Sequence, residues 1–226
     1  MKEAIRAALP ELSPAQTELL ARFGAALLEK NQVMNLTAIT DPKGVAELHF
    51  QDSIRLLGAA ELRDQRVIDI GCGAGFPGVP LKIAEPGIRL TLLDSLNKRV
   101  LWLSQTLKEL GIDAECVSAR AEEFAAKRRE QYDIATSRAV ARLNVLCELC
   151  LPFVKVGGYF LAMKGAAAEE ELNEAKHAIA TLGGRVERVY EYPIADAVHR
   201  VIVIRKEKNT PPQYPRAFAK IKKSPL

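Results

Sequence analysis

The sequence has no stretch of eighteen apolar residues, and this absence excludes a membrane span. Its first residues, MKEAIRAALPELS, are charged at Lys2, Glu3 and Arg6 and lack the apolar centre of a signal peptide. Hydrophobic residues make up 48% and charged residues 27% of the 226 residues, as in ordinary globular proteins. We therefore expect a cytoplasmic protein with one main domain and no membrane partner.

Cysteine is also scarce. The four cysteines, at 72, 116, 147 and 150, are too few and too irregularly spaced for a disulfide framework. Cys147 and Cys150 form a CxxC pair, but no second pair or nearby histidine completes a zinc site. Helical spacing in LNVLCELCLPFV puts both on one apolar face, which favours core packing. The sequence predicts no metal site.

Acidic residues are almost absent from the end of the chain. From 205 to 226, seven basic residues minus the single acid Glu207 give a charge of +6, which leaves −2 for residues 1–204. A basic segment on a slightly acidic body predicts an anionic partner, with nucleic acid the first candidate. The alternative is a disordered, solubilising end. The candidate RNA contacts in this segment are Arg216, Lys220, Lys222 and Lys223.

Helical patterns come first along the chain, and strand–helix units follow. Residues 14–30 are amphipathic, and Asp41 and Pro42 are placed to start a second helix. We assign residues 1–60 to an N-terminal helical extension packed on the core. Five strands alternating with helices then indicate an α/β fold with a doubly wound, mostly parallel sheet, in a domain of residues 61–206. Residues 207–226 form a basic C-terminal tail.

The last two strands break this alternation. RVERVYEYPI and HRVIVIRK follow each other without a helix between them. Adjacent strands with a short connection pair in antiparallel fashion. We expect the sheet to end in an antiparallel hairpin.

A glycine-rich turn, GCGAGFPG, directly follows the first predicted strand. Ligands of doubly wound sheets bind at the carboxyl ends of the strands, and glycines there let the backbone approach a ligand closely. Asp94 ends the second strand, 19 residues beyond Gly75. A carboxylate at that place accepts hydrogen bonds from ribose hydroxyls. Together these features predict an adenosine-containing cofactor.

Dinucleotides and S-adenosylmethionine both fit this pattern. A dehydrogenase usually needs a second lobe for its substrate, and the chain has no room for one. Pro77 and Pro80 remove two backbone donors that a pyrophosphate would use. The terminal hairpin is typical of class I methyltransferases. The residues therefore favour S-adenosylmethionine.

Several segments together are similar to the bacterial RsmG (GidB) family. They are GCGAGFPGVPLKIA, LLDSLNKRVLWL, ARAEEF and SRAVARL, with NQVMNLTAITDP and LHFQDSIRLL before them and GGYFLAMKG and YPRAFAKIKKSPL after them. The resemblance covers nearly everything after Glu29 and departs at the tail, where relatives more often have a glycine–threonine–proline stretch. It implies a class I S-adenosylmethionine-dependent methyltransferase fold with a Rossmann-like sheet.

The same resemblance implies the reaction. Family members methylate N7 of a guanine in 16S ribosomal RNA, which corresponds to guanine 527 of the 530 loop. The expected partner is 16S rRNA in the small ribosomal subunit or in an assembly intermediate, and we expect a monomer. A different acceptor, or an assembly factor that no longer catalyses, is the alternative.

Site residues follow from the matching positions. The resemblance implies cofactor contacts at Gly71, Gly73, Phe76, Asp94, Ser95, Ala121, Glu122 and Arg138. Without the resemblance, Glu122 is better explained as an acid favoured at the start of a helix. A surface ion pair is the less favoured alternative for Arg138. Because guanine N7 carries an in-plane lone pair, no general base is required. Arg138 is then a candidate for positioning.

Other polar residues have weaker patterns. Lys164 and Arg142 are candidate RNA contacts that equally suit solvent-facing positions. His49 and Asp52 lie three apart on one helical face, which favours a local polar pair that anchors the N-terminal helices over a role at the site. His177 and His199 show no partner pattern, and we expect no role for them.

Overall fold

The computed structural model describes residues 1–138 and 140–226, and it begins with helices. They are α1 (Lys2–Ala8), α2 (Pro14–Met34), α3 (Pro42–Gly44) and α4 (Asp52–Ile54), with a π-helical segment at Val45–Gln51 and a 3-10 turn at Arg55–Gly58. A capping box between Ser13 and Gln16 starts α2. The helix ends four residues later than expected, where Asn35 turns left-handed at φ 49°. The Asp41 side chain caps α3, as predicted.

The N-terminal helices pack on one face of the sheet. Phe23, Leu27 and Phe50 are fully buried, and they belong to the same hydrophobic cluster as Val67 and Leu92 of the sheet. Helices and sheet therefore share one core on this face. The division of the chain at residue 60 stays a prediction.

Seven strands form one mixed sheet. They are β1 (Arg66–Ile70), β2 (Arg89–Asp94), β3 (Glu115–Ser118), β4 (Tyr132–Arg138), β5 (Val154–Lys164), β6 (Gly184–Ile194) and β7 (Ala197–Lys206). Their order across the sheet is β3-β2-β1-β4-β5-β7-β6. The first five strands are parallel, and β7 pairs antiparallel with both β5 and β6. The doubly wound fold and its terminal hairpin are confirmed.

The connecting helices are α5 (Gly78–Ala84), α6 (Asn97–Leu110), α7 (Ala121–Arg128), α8 (Leu143–Cys150) and α9 (Ala168–Thr181). The expected helix from Leu143 to Val154 is too long. Pro152 cannot continue an α-helix, and the chain takes a 3-10 turn before Val154 starts β5. Cys147 and Cys150 are both fully buried in the core, as their helical spacing indicated.

The C-terminal segment is ordered and packed, so the alternative of a disordered end is wrong. Its last helix is α10 (Phe218–Lys223), where Ile221 is fully buried. Arg216 forms an ion pair with the buried Glu148 of α8, with Nη2 and Oε2 2.6 Å apart. The Arg129 guanidinium donates to the carbonyl oxygens of Thr210, Pro211 and Tyr214. Across the described part of the chain, no helix has both the length and the hydropathy needed to cross a membrane.

Replacing Glu148 should destabilise the whole protein. In Glu148→Gln, Arg216 keeps its charge but loses a carboxylate whose side chain is 1% exposed. Breaking a buried pair from one side costs about 3 kcal/mol of the free energy of unfolding, and urea titration measures this loss. Glu207→Gln is the control, because its pair with Arg185 is exposed, and there we expect a much smaller loss. Equal losses in the two variants would contradict the anchoring of the C-terminal segment by Glu148.

Candidate functional site

A cavity of ≈ 440 Å³ opens along the carboxyl ends of β4, β1, β2 and β3. All eight predicted cofactor residues line it: Gly71, Gly73, Phe76, Asp94, Ser95, Ala121, Glu122 and Arg138. They follow four adjacent strands, so the row extends over three strand spacings, about 14 Å. The strand order therefore brings together residues that are up to 67 positions apart in the sequence.

Asp94 holds two loops of this cavity in place. Its Oδ2 accepts a hydrogen bond from the Gly73 amide at 2.9 Å, and its Oδ1 accepts one from the Leu96 amide at 2.8 Å. Each carboxylate oxygen can accept a second hydrogen bond. Asp94 can therefore brace the glycine turn and still accept hydroxyl groups from a ligand.

The glycines of the turn serve two purposes. Gly73 has φ +55°, and a Cβ added to it would meet nothing closer than the Gly71 carbonyl oxygen at 4.0 Å, so its surroundings are open. A Cβ at Gly75 would lie 2.7 Å from Val79, and one at Gly78 would lie 2.6 Å from Leu92. Gly73 leaves room for a ligand, whereas Gly71 is covered by the Val140 side chain and the second half of the turn is tightly packed against the core.

Asp69, inside β1, stabilises the helix that follows this turn. Its Oδ2 accepts a hydrogen bond from the Gly78 amide at 2.8 Å, while its Oδ1 has no partner among the described residues. Burial raises the pKa of Asp69 to about 7, against the opposing effects of the Gly78 amide and the Arg138 charge. No motif in the sequence indicated a role for Asp69.

Arg138, at the end of β4, is held by the N-terminal helices. Its Nη1 donates to the Leu48 carbonyl and to Asp52 Oδ2, both at 3.0 Å, and its Nη2 lies 3.2 Å from His49 Nδ1. The guanidinium also lies 5.0 Å from the centre of the Phe76 ring. The alternative of a surface ion pair is wrong, because the Asp52 side chain is only 5% exposed.

Asp52 is the centre of a larger network. Besides Arg138, it accepts hydrogen bonds from the Tyr192 hydroxyl at 3.0 Å and from His199 Nδ1 at 2.7 Å. Burial and the Asp52 carboxylate raise the pKa of Tyr192 above its usual range, which keeps its hydroxyl proton in place. The expectation that His199 has no role is therefore wrong. Its partner lies 147 positions earlier in the sequence.

His49 lies in the π-helical segment and faces the cavity. Its ring stacks on Phe76 with 4.5 Å between centroids, and its Nε2 is 2.7 Å from the Thr37 hydroxyl. Burial, followed by the Arg138 charge, lowers the pKa of His49 from 6.5 to about 4. His49 and Asp52 are thus not merely a local polar pair, since both contact Arg138.

A second cavity of ≈ 710 Å³ adjoins the first. The two cavities share His49, Arg138 and Val140 in their linings. Apolar side chains line part of the second cavity, and its polar lining comes from Asp52, Arg142, Lys164, Glu171, Tyr192 and His199. A ligand in the first cavity and a flat polar molecule in the second would therefore meet beside Arg138.

The six predicted RNA contacts fall into two groups. Three are engaged by carboxylates: Arg142 by Glu170 and Glu174, Lys164 by Glu171, and Arg216 by Glu148. The other three, Lys220, Lys222 and Lys223, are exposed on α10. RNA binding by all six stays a prediction, and the exposed group is the better placed for it.

Sequence reasoning missed several residues of the first cavity. They are Leu36, Cys72, Leu96, Arg99, Arg120 and Phe218. Phe218 comes from α10, and the Arg120 guanidinium lies 5.4 Å from its ring centre. The C-terminal segment thus forms part of the cavity wall. The only sequence signal for Phe218 was that it is an aromatic residue within a basic segment. Such a signal does not indicate where the residue lies in the fold.

The sequence matches a known family over most of its length. The family model described as "GidB: rRNA small subunit methyltransferase G" matches residues 16–199. A curated protein of Alkaliphilus oremlandii named "Ribosomal RNA small subunit methyltransferase G" is 48% identical, over 100% of this chain and 97% of its own. A protein of the same name from Bacillus subtilis is 46% identical, over 95% of this chain and 92% of its own.

Solved structures with the same fold are more distant in sequence. A SAM-dependent methyltransferase from Aquifex aeolicus has a TM-score of 0.54 and 20% identity, over 73% of this chain and 93% of its own. M. jannaschii TYW2 in complex with AdoMet has a TM-score of 0.57 and 14% identity, over 74% of this chain and 77% of its own. At these identities the similarity is one of fold.

The buried His49 should make stability depend on pH. Between pH 6.5 and 4 the unfolded chain binds a proton at this residue and the folded chain does not, so the free energy of unfolding falls as the pH falls. The full effect is at most about 3 kcal/mol. Urea titrations at pH 7, 6 and 5 should show a smaller fall for His49→Gln than for the unchanged protein. His177→Gln, at an exposed residue of α9, is the control, and identical profiles for both variants would refute the assignment.

Proposed function

Since the chain belongs to the rRNA small subunit methyltransferase G family, we propose that it transfers a methyl group from S-adenosylmethionine to N7 of a guanine in 16S ribosomal RNA. Family resemblance suggests guanine 527 of the 530 loop. The observation that carries the proposal is the meeting of two cavities at Arg138. One has the features of an adenosine site, and the other offers a polar lining to a flat base.

The first cavity fits S-adenosylmethionine. Asp94 keeps lone pairs for the two ribose hydroxyls, and Gly73 leaves open space beside them. Ala121, Glu122 and Phe218 lie toward β3 and would hold the adenine. Gly71, Phe76 and Arg138 lie toward β1 and β4 and would hold the methionine part. Ser95 continues the loop after Asp94.

This division follows from the position of the second cavity. The transferred methyl group must face the acceptor, and the second cavity adjoins the first at Arg138, beside β4. If Asp94, at the end of β2, holds the ribose, the adenine must extend from the ribose in the direction away from β4. That direction leads to the residues after β3.

The chain's own residues mainly bind and orient. S-adenosylmethionine, when bound, supplies a methyl group on a positively charged sulfur. Guanine N7 presents a lone pair in the plane of its ring, so no residue has to remove a proton from it. Holding both molecules in line provides catalysis by proximity and orientation.

Charge balance around Arg138 also suits this reaction, because methylation leaves the guanine positively charged. The Asp52 carboxylate, 3.0 Å from the guanidinium, offsets the charge of Arg138. The lowered pKa of His49 keeps its ring neutral near pH 7. The shared wall of the two cavities therefore adds little net positive charge where the guanine acquires its own.

The target guanine should be unpaired or turned outward. N7 faces the major groove, which is too narrow for side chains in an A-form RNA helix. A base taken out of the stack can be received in a protein cavity. The exposed lysines of α10 would contact the RNA backbone independently of sequence.

Methyl transfer should be detectable directly. We expect purified protein with labelled S-adenosylmethionine to label small ribosomal subunits or deproteinised 16S rRNA, and borohydride and aniline treatment to cleave the product at one guanosine. The substrate that responds identifies the assembly stage. Labelled RNA that resists cleavage would place the methyl group elsewhere. Cofactor binding without any labelling would favour a different acceptor, and absence of cofactor binding would favour an assembly factor without catalysis.

The α10 lysines should control the salt dependence of RNA binding. In the variant Lys220→Gln/Lys222→Gln/Lys223→Gln, we expect weaker RNA binding and a slope of log affinity against log salt that is flatter by about 2, since each lost phosphate contact removes about 0.7–0.9. S-adenosylmethionine affinity should stay unchanged.

The control carries Lys108→Gln, Lys127→Gln and Lys176→Gln, which remove the same charge from exposed positions on three other helices. Equal salt slopes in the two variants would show that α10 has no special role. Truncation of the segment is less informative, because Arg216 and Ile221 belong to the folded core.

A further inference from the structure

Lys164 and Glu171 form an ion pair in the wall of the second cavity. Lys164 ends β5 and Glu171 lies in the first turn of α9, with Nζ and Oε2 2.7 Å apart. Their side chains are only 7% and 14% exposed. Neither charge is needed for the proposed methyl transfer as described above. A nearly buried ion pair is weak evidence for a role in stability, because desolvation offsets much of the attraction between its charges.

Both groups keep hydrogen-bonding capacity. The Lys164 ammonium donates to the Ala141 carbonyl at 2.7 Å and faces Glu171, which occupies two of its three protons. Glu171 Oε2 accepts from the Leu143 amide at 2.8 Å, whereas Oε1 accepts no hydrogen bond from the residues that the structure describes. The pair thus offers one free donor beside one free acceptor.

Arg138, Lys164 and Glu171 line the same cavity. Arg138 is paired in register with Met163, so Lys164, the next residue of β5, leaves the opposite face of the sheet, and the two side chains share a cavity beyond the ends of the strands. In guanine, O6 lies between N7 on one side and the N1 proton on the other. A base whose O6 and N1 face Lys164 and Glu171 can direct N7 toward the shared wall at Arg138.

We propose that Lys164 and Glu171 select guanine in the second cavity, where Lys164 donates to O6 and Glu171 Oε1 accepts the N1 proton. Adenine presents the opposite pattern, with an amino donor in place of O6 and an unprotonated N1. Donor would then face donor and acceptor would face acceptor, which rejects adenine. This selection rests on the proposed function, because it needs a base in this cavity.

A purely structural role is the competing explanation. Through Ala141 and Leu143, the pair also ties the segment after β4 to α9. Arg142 ties the same segment to the same helix through Glu170 and Glu174, but on the exposed surface. Glu170→Gln/Glu174→Gln is therefore a matched control, which removes the exposed ion pairs between these elements from the side of α9.

The test compares kcat/KM of three proteins on substrates that carry two different target bases. Reconstituted small subunits carry either guanine or 2-aminopurine at the target position, and 2-aminopurine lacks both O6 and the N1 proton. We measure kcat/KM on each for the unchanged protein, for Lys164→Met/Glu171→Met and for Glu170→Gln/Glu174→Gln. Removing both charges at once avoids an unpaired buried ion. Affinity for S-adenosylmethionine and the melting temperature report whether each variant is folded.

We expect the unchanged protein and Glu170→Gln/Glu174→Gln to prefer guanine about 100-fold, the equivalent of two good hydrogen bonds. Lys164→Met/Glu171→Met should prefer it less than about fivefold, because both contacts are already lost. Any effect of 2-aminopurine on the reactivity of N7 is the same for every protein and cancels in the comparison. If Lys164→Met/Glu171→Met does not fold, Lys164→Met/Glu171→Gln replaces it. The amide oxygen then present at position 171 still accepts the N1 proton, so the preference for guanine should fall only to about tenfold.

An unchanged preference for guanine in a slower Lys164→Met/Glu171→Met variant would overturn the proposal and leave the pair a structural role. That result differs from failure of the proposed function. In the latter case the unchanged protein itself would not methylate the guanine-containing subunit.

Discussion

The ion pair between Arg138 and Asp52 is the contact on which the arrangement of the site depends. It joins the carboxyl end of β4 to the N-terminal helices, and the same guanidinium forms part of both cavities. Because Asp52 is buried, removing its partner would leave an uncompensated charge at a cost of several kcal/mol. The distance between a molecule in one cavity and a molecule in the other is thus set by one well-anchored side chain.

Local patterns predicted the parts of the fold that depend on local interactions. Asp41 caps α3 as its side chain indicated, and the last two strands pair as a hairpin. The eight cofactor positions, which the family resemblance implied, line one cavity because they lie at strand ends. The network around Asp52 was not predictable in this way. His199 lies 147 positions after Asp52, and nothing in the spacing of either residue connects them. The π-helical segment at Val45–Gln51 was also missed, since apolar spacing does not resolve one additional residue per turn.

Composition overstated the charge that the C-terminal segment offers to a partner. Lys206 is fully buried beside Glu130, and Arg216 is paired with Glu148. Both cations serve the fold, while three lysines of α10 remain exposed. The same segment brings Phe218 to the first cavity, while Leu36 and His49 come from the N-terminal helices. The N-terminal helices and the C-terminal segment therefore line the sides of a cavity, and the carboxyl ends of the strands line its centre.

The separation of Asp52 from its partners has a consequence for the order of events during synthesis. Tyr192 and His199 belong to the terminal hairpin, 140 and 147 positions after Asp52. A ribosome adds about 5–20 residues per second, so roughly 7 to 30 s pass between the translation of Asp52 and that of His199. Until β6 and β7 have been made and β7 has paired with β5, two of the three side chains that hold Asp52 are missing. In a methyltransferase of ribosomal RNA with this connectivity, the network around Asp52 is complete only after the terminal hairpin has been translated, well after most of the residues that line the first cavity.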